Sequence, residues 1–94
     1  MANHELHTLS TSSATQLTPS GTHSGMDITL QNVNNTGYIY IGGDDTVSST
    51  SYGYRLMPNH AISFELPGQD HLYAIAENAD MKLAKITTNL EVQN

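Results

Sequence analysis

The sequence predicts an all-β fold, a small antiparallel β-sandwich or barrel of roughly five to seven short strands preceded by an extended N-terminal arm. Three observations carry this expectation. Apolar residues alternate with polar ones in several short runs, the two-residue period of a half-buried strand. Turn signals built on Gly, Pro, Asn and Asp separate those runs about every eight to twelve residues. Nowhere does a helical period persist for three turns.

Residues 1–24, MANHELHTLSTSSATQLTPSGTHS, contain ten Ser or Thr and, besides Met1, three large aliphatics: Leu6, Leu9 and Leu17. That apolar content does not offset the entropy lost on ordering, so the segment reads as a flexible or extended arm outside a 25–94 domain. An arm that orders on a partner and an inert linker share this composition. From Met26 the pattern changes. In MDITLQNV, Met26, Ile28 and Leu30 alternate with Asp27, Thr29 and Gln31, and NNTG supplies a tight turn. In YIYIGG, Ile39 and Ile41 point one way and Tyr38 and Tyr40 the other. YGYRLM is a short third strand closed by Pro58-Asn59. HAISFELPG sets Ile62, Phe64 and Leu66 against Ser63 and Glu65, and Pro67-Gly68 ends it. HLYAIA and MKLAKITT follow on either side of the turn ENAD, and LEVQ offers a short terminal edge.

Ninety-four residues allow one domain at most. The absence of cysteine removes disulfides, thiolate metal sites and a thiol nucleophile. Charged residues are 13%, against about 25% in ordinary globular chains. Nine acids face three bases, Arg55, Lys82 and Lys85, for a net charge of -6. A phosphate backbone and an anionic membrane surface are both held by Lys and Arg, so neither nucleic acid nor membrane is an expected partner. With no apolar span and no signal-like N-terminus, the expectation is a soluble chain made in a cytoplasm.

The residues that carry chemistry are sparse, and the sequence reads as non-enzymatic. His4, His7 and His23 lie in the arm; His60 and His71 each open a strand, where a solvent-facing turn histidine is ordinary. No HxH or HExxH spacing occurs in the domain, and about 70 ordered residues rarely build by themselves the cleft in which a nucleophile, a base and an orienting group converge. Asp44-Asp45 after Gly42-Gly43 is too short for a calcium loop and reads as a turn closed by Asp onto backbone amides. The Gly pair lacks the Lys and helix of a phosphate loop, and is expected to permit a bulge or positive backbone angles. No metal and no cofactor is expected.

A core of about ten aliphatic and aromatic side chains is small for roughly 70 ordered residues, so association with further copies or a larger scaffold is the expected source of added stability. Tyr38 and Tyr40 back a strand face that is already apolar, and with Tyr52 and Tyr54 they are the candidate interface residues. Plain β-propensity on an exposed face is the competing reading. A third is a carbohydrate-binding module with the four tyrosines as platform, against which stands the absence of tryptophan.

Residues 37–76 also carry a recognisable order of parts: YIYIGG, a Ser/Thr loop containing Val47, YGYRL, ISFEL and LYAIA. This order resembles small virion proteins of tailed bacteriophages and β-domains appended to their structural proteins, where it runs loosely vyIGG, V-S/T, nGY-L, G-x-s-F-x-L and LYAI. Where that family often has Ala-Gly before the ISFEL strand, this chain has Pro58-Asn59. The resemblance implies a capsid decoration (cement) protein that binds the major capsid protein on the virion surface and stabilises the head. It also implies a homo-oligomer, most often a trimer. A tail, head–tail joining or fibre-base protein is the alternative it implies.

Overall fold

Met26, Ile28 and Leu30 are buried while Asp27 and Gln31 face out, and the strand they make, β3 (Gly25–Asn32), lies inside a four-stranded sheet. The computed structural model describes residues 2–18, 25–68 and 70–89. Within these the chain is all-β, with β1 (Ala2–Thr8), β2 (Thr15–Gln16), β4 (Ile39–Gly42), β5 (Tyr54–Leu56), β6 (Ala61–Pro67), β7 (Tyr73–Ala76) and β8 (Lys82–Asn89) joining β3. They form two antiparallel sheets of four strands, in the orders β1-β8-β3-β6 and β2-β7-β4-β5. Both sheets contribute to one buried core, with Ile28, Leu30 and Leu83 from the first and Ile39, Ile41 and Leu56 from the second. This arrangement is compatible with a small β-sandwich.

The segment expected to stand apart as an arm is instead woven into both sheets. β1 pairs with β8 along its whole length, from Ala2↔Thr88 to Thr8↔Lys82, and β2 pairs with β7 through Thr15↔Ala74. Leu9 and Leu17 are 3% and 0% exposed, and each donates its backbone N–H across the molecule, to Met81 O and Leu72 O. The local composition is too polar to build a core, but two leucines suffice to complete one built elsewhere. The ladders also cover the edges that β8 and β7 would otherwise expose. Counted with β1 and β2, the described strands exceed the number expected. Residues 19–24, His23 among them, and the LEVQ segment lie outside the described residues.

Among the described strands, β4 and β5 alone are consecutive neighbours in one sheet; every other consecutive pair changes sheet. NNTG is therefore a crossing between sheets and not a tight turn between neighbours. Asn32, fully buried, holds that crossing. Its Nδ2 donates to Gly37 O (3.0 Å) and Leu56 O (3.1 Å), and its Oδ1 accepts from the backbone N–H and Nδ2 of Asn34. Asn34 in turn exchanges hydrogen bonds with the backbone of Lys82. Gly37 sits at φ +92, and a Cβ there would strike the Asn78 and Met81 side chains. The return from β5 to β6 is a turn in which His60 N–H donates to Met57 O. Pro58 leads it and Asn59 takes φ 62, as a type II turn requires at its third residue.

Candidate functional site

The sheet β2-β7-β4-β5 has a second apolar cluster on its outer face. Opposite residues of an antiparallel pair share a face, so the pairs Tyr40↔Ile75 and Tyr40↔Arg55 place these three together, away from the core residues Ile39 and Ile41. Tyr40, Val47 and Ile75 are buried there, with Ala14, Tyr38 and Tyr73 packed against them. The Tyr52 ring leans on Tyr40, centroids 4.9 Å apart and planes tilted by 42°, and stays 42% exposed. Arg55 lies over the Tyr38 ring, 4.6 Å from its centroid, a cation–π contact at the sheet surface.

Three of the four tyrosines singled out in the sequence, Tyr38, Tyr40 and Tyr52, thus meet on one face. Tyr54 does not join them. Gly53 N–H donates to Ile41 O while Tyr54 is the register partner of Ile41, so two residues face one in the manner of a β-bulge. The doubling breaks the alternation between Tyr52 and Tyr54. Tyr54 falls on the side of Ile41 and helps line a slot of about 220 Å³ with Phe64 and Leu72. The bulge expected at Gly42-Gly43 is found here instead, and neither of those glycines has a positive φ.

The loop after β4 covers part of the aromatic face. A Cβ on Gly42 would stand 2.9 Å from Val47 Cβ, so the missing side chain is what lets Val47 settle onto the strand. Asp44 closes the turn as its residue type suggested, with Oδ1 accepting from the N–H (3.0 Å) and hydroxyl (2.5 Å) of Thr46. Those hydrogen bonds hold the Asp44 carboxyl below the usual carboxylate range. The serines that follow make a miniature hairpin: Ser48 and Ser51 exchange backbone hydrogen bonds, and Ser48 Oγ accepts from the N–H groups of Thr50 and Ser51.

Between this loop and the bend at Thr11 and Ser12 lies an open groove of about 670 Å³, with Tyr40, Val47 and Ile75 in its floor and Asp45 and Glu77 among its polar walls. Glu77 is latched to β4, its Oε1 accepting the Tyr38 N–H at 2.9 Å while its own N–H donates to Tyr38 O. Desolvation raises the Tyr40 phenol above its ordinary pKa, and the Glu77 carboxylate adds to the rise. No Lys or Arg lines the groove, so it suits an uncharged, hydroxyl-rich or cationic surface and disfavours an anion.

No known family model matches this chain, and no curated protein does either.

A second cluster, in residues assigned to the arm, escaped the sequence reading. The core-facing side of β1 carries Glu5 and His7, and β8 places Lys85 opposite Glu5. Lys85 Nζ lies 3.6 Å from Glu5 and donates to Leu17 O at 2.6 Å; His7 Nε2 lies 3.5 Å from Glu5. Burial, reinforced by the Lys85 ammonium and opposed by Glu5, pushes the His7 imidazole below its ordinary pKa. These groups line an open polar cleft of about 400 Å³ with Gln16 and Thr18 from the opposite sheet. The signal for it was the alternation in HELHTL, which sets Glu5, His7 and Leu9 on one face. Of the remaining histidines, His4 and His60 are exposed, and His71 Nδ1 shares a 2.6 Å hydrogen bond with Thr18 Oγ1. Among the described residues no three His, Asp or Glu side chains gather as a metal site would need.

Proposed function

We propose that this chain is a non-enzymatic structural protein of a tailed-bacteriophage virion, a capsid decoration protein that binds the major capsid protein through the outer aromatic face of the β2-β7-β4-β5 sheet. The observation that carries this reading is that the sheet is apolar on both faces. A two-layer protein standing alone in water needs one apolar face per sheet. Here Tyr38, Tyr40, Tyr73 and Ile75 form a second one, and the chain's own loop leaves Tyr52 half exposed. Tyrosine suits such a role because its ring buries area while its hydroxyl keeps a polar partner. The virion setting comes from the resemblance of residues 37–76 to small phage structural proteins.

Binding of the purified chain to phage heads that lack it tests the reading. Tyr52→Ala and Arg55→Ala, which leave the core untouched, should weaken attachment by about 2 kcal/mol if either is an interface anchor. Full attachment by both variants would overturn the assignment of this face. A copy number matching tail rings and not capsomers would move the protein to a tail, head–tail joining or fibre-base position.

The groove beside Tyr40 supports a second reading, a carbohydrate-binding module, because its walls pair hydroxyls with the Asp45 and Glu77 carboxylates over an apolar floor. Retained head binding with glycan binding lost on Glu77→Gln would favour it.

A further inference from the structure

We infer that two copies of this chain pair through the edge of β1, which no other described strand covers, antiparallel and about a two-fold axis at Leu6, joining their β1-β8-β3-β6 sheets into one continuous sheet. This inference is independent of the capsid reading.

The phase of the β1 ladder gives the argument. Leu9 N–H donates to Met81 O, and Leu9 stands opposite Met81 in register, so Leu9, His7 and Glu5 direct their backbone groups toward β8. Thr8, Leu6 and His4 therefore present N–H and C=O groups to the open edge. None is proline, so every outward donor is intact. An antiparallel copy can align only registers that match outward residues with outward residues. With Glu5 on the axis, two glutamates would face each other. With His7 on the axis, two imidazoles would. With Leu6 on the axis, Leu6 faces Leu6 of the second copy, His4 faces Thr8, and Glu5 stands across from His7 on both sides.

That register also answers two local features of the single copy. Leu6 is 59% exposed, the most exposed large hydrophobic among the described residues, and it gains an apolar neighbour. His7 Nε2 is buried and makes no hydrogen bond, with its own Glu5 carboxylate 3.5 Å away, and it gains a second carboxylate, Glu5 of the second copy. Glu5 and His7 fall at the non-hydrogen-bonded positions of the new pair, where side chains approach most closely. The other long edge, β6, is less suited. Asn32 N–H donates to His60 O, so Ala61, Ser63, Glu65 and Pro67 face outward there, and Pro67 lacks a donor. Symmetric pairing about Ser63 matches no opposite charges. Pairing at β1 closes as a dimer, in place of the trimer implied by the resemblance.

The test uses the absence of native cysteine. In the inferred register the two Leu6 Cα atoms lie about 5.5 Å apart, within disulfide reach. Leu6→Cys should give a covalent dimer under mild oxidation. His4→Cys should not self-link, since its two copies lie about 14 Å apart along the strands. Leu6→Pro removes an outward donor without touching the β8 ladder, and should weaken the dimer at least about tenfold in sedimentation while leaving the circular dichroism unchanged. A wild-type chain that sediments as a monomer or trimer at high micromolar concentration would overturn the inference. So would Ser63→Cys cross-linking in preference to Leu6→Cys.

Discussion

Val47 packs onto Gly42 so closely that a Cβ at Gly42 would lie 2.9 Å from both Val47 Cβ and Val47 Cγ2. The contact folds the loop after β4 back over the aromatic face. Real side chains do not approach so near, so Gly42→Ala must lift Val47 away. The expected cost is about 1–3 kcal/mol, with Tyr40 more accessible than its present 7%. Thermal melting and the solvent quenching of tyrosine fluorescence would check both. A variant of unchanged stability would mean that the loop has another packing of equal energy.

Asn32 is fully buried, yet its side-chain donors and acceptor are matched by Gly37, Leu56 and Asn34. Asn32→Ala would leave the Gly37 and Leu56 carbonyls without this donor, a loss of roughly 2–4 kcal/mol. Asn34 is less buried, and Asn34→Ala should cost less because water can reach its partners. Urea denaturation of the two variants gives the ranking directly.

Leu9 and Leu17 test whether residues 1–18 belong to the fold. Each leucine replaced by alanine should destabilise the protein by about 2–5 kcal/mol. Removing residues 1–18 should abolish cooperative unfolding, since it strips one strand from each sheet. A truncated chain that melts like the full one would restore the view of this segment as a dispensable arm.

His7 sets a pH dependence with a definite sign. Its folded-state pKa lies below the ordinary value of 6.5, because of burial first and Lys85 second. The unfolded chain then binds a proton more readily than the folded one. Stability should therefore fall as pH drops below about 6.5, and level off once the pH passes below the folded value. Glu5 on β1 and Lys85 on β8 are the charged groups facing it, with Gln16 and Thr18 across the cleft. His7→Gln should remove this slope from a plot of unfolding free energy against pH while the slopes from the carboxylates remain.

The sequence by itself determined the strands with a clear two-residue period and the faces they bury. Ile28 and Leu30 inward, Ile39 and Ile41 opposed to Tyr38 and Tyr40, and the turn at Pro58-Asn59 all follow from local alternation and turn chemistry. Such signals live within a few residues, so they are legible without knowing what lies across the sheet. The tertiary structure decided everything that depends on distant partners. Leu6 stands opposite Ala84 and Thr15 opposite Ala74, and only those two pairings turn a polar segment into two edge strands and two of its leucines into core. Tyr54 left the aromatic face because Gly53 and Tyr54 share Ile41 as partner, a doubling set by the opposite strand. Tyr73 and Val47 reached that face for a like reason, one through its place beside Gly42 in the ladder and the other through the space Gly42 leaves open. A strand's period and its apolar residues fix which side is buried; what packs against that side, and what covers the other, is fixed by the rest of the chain.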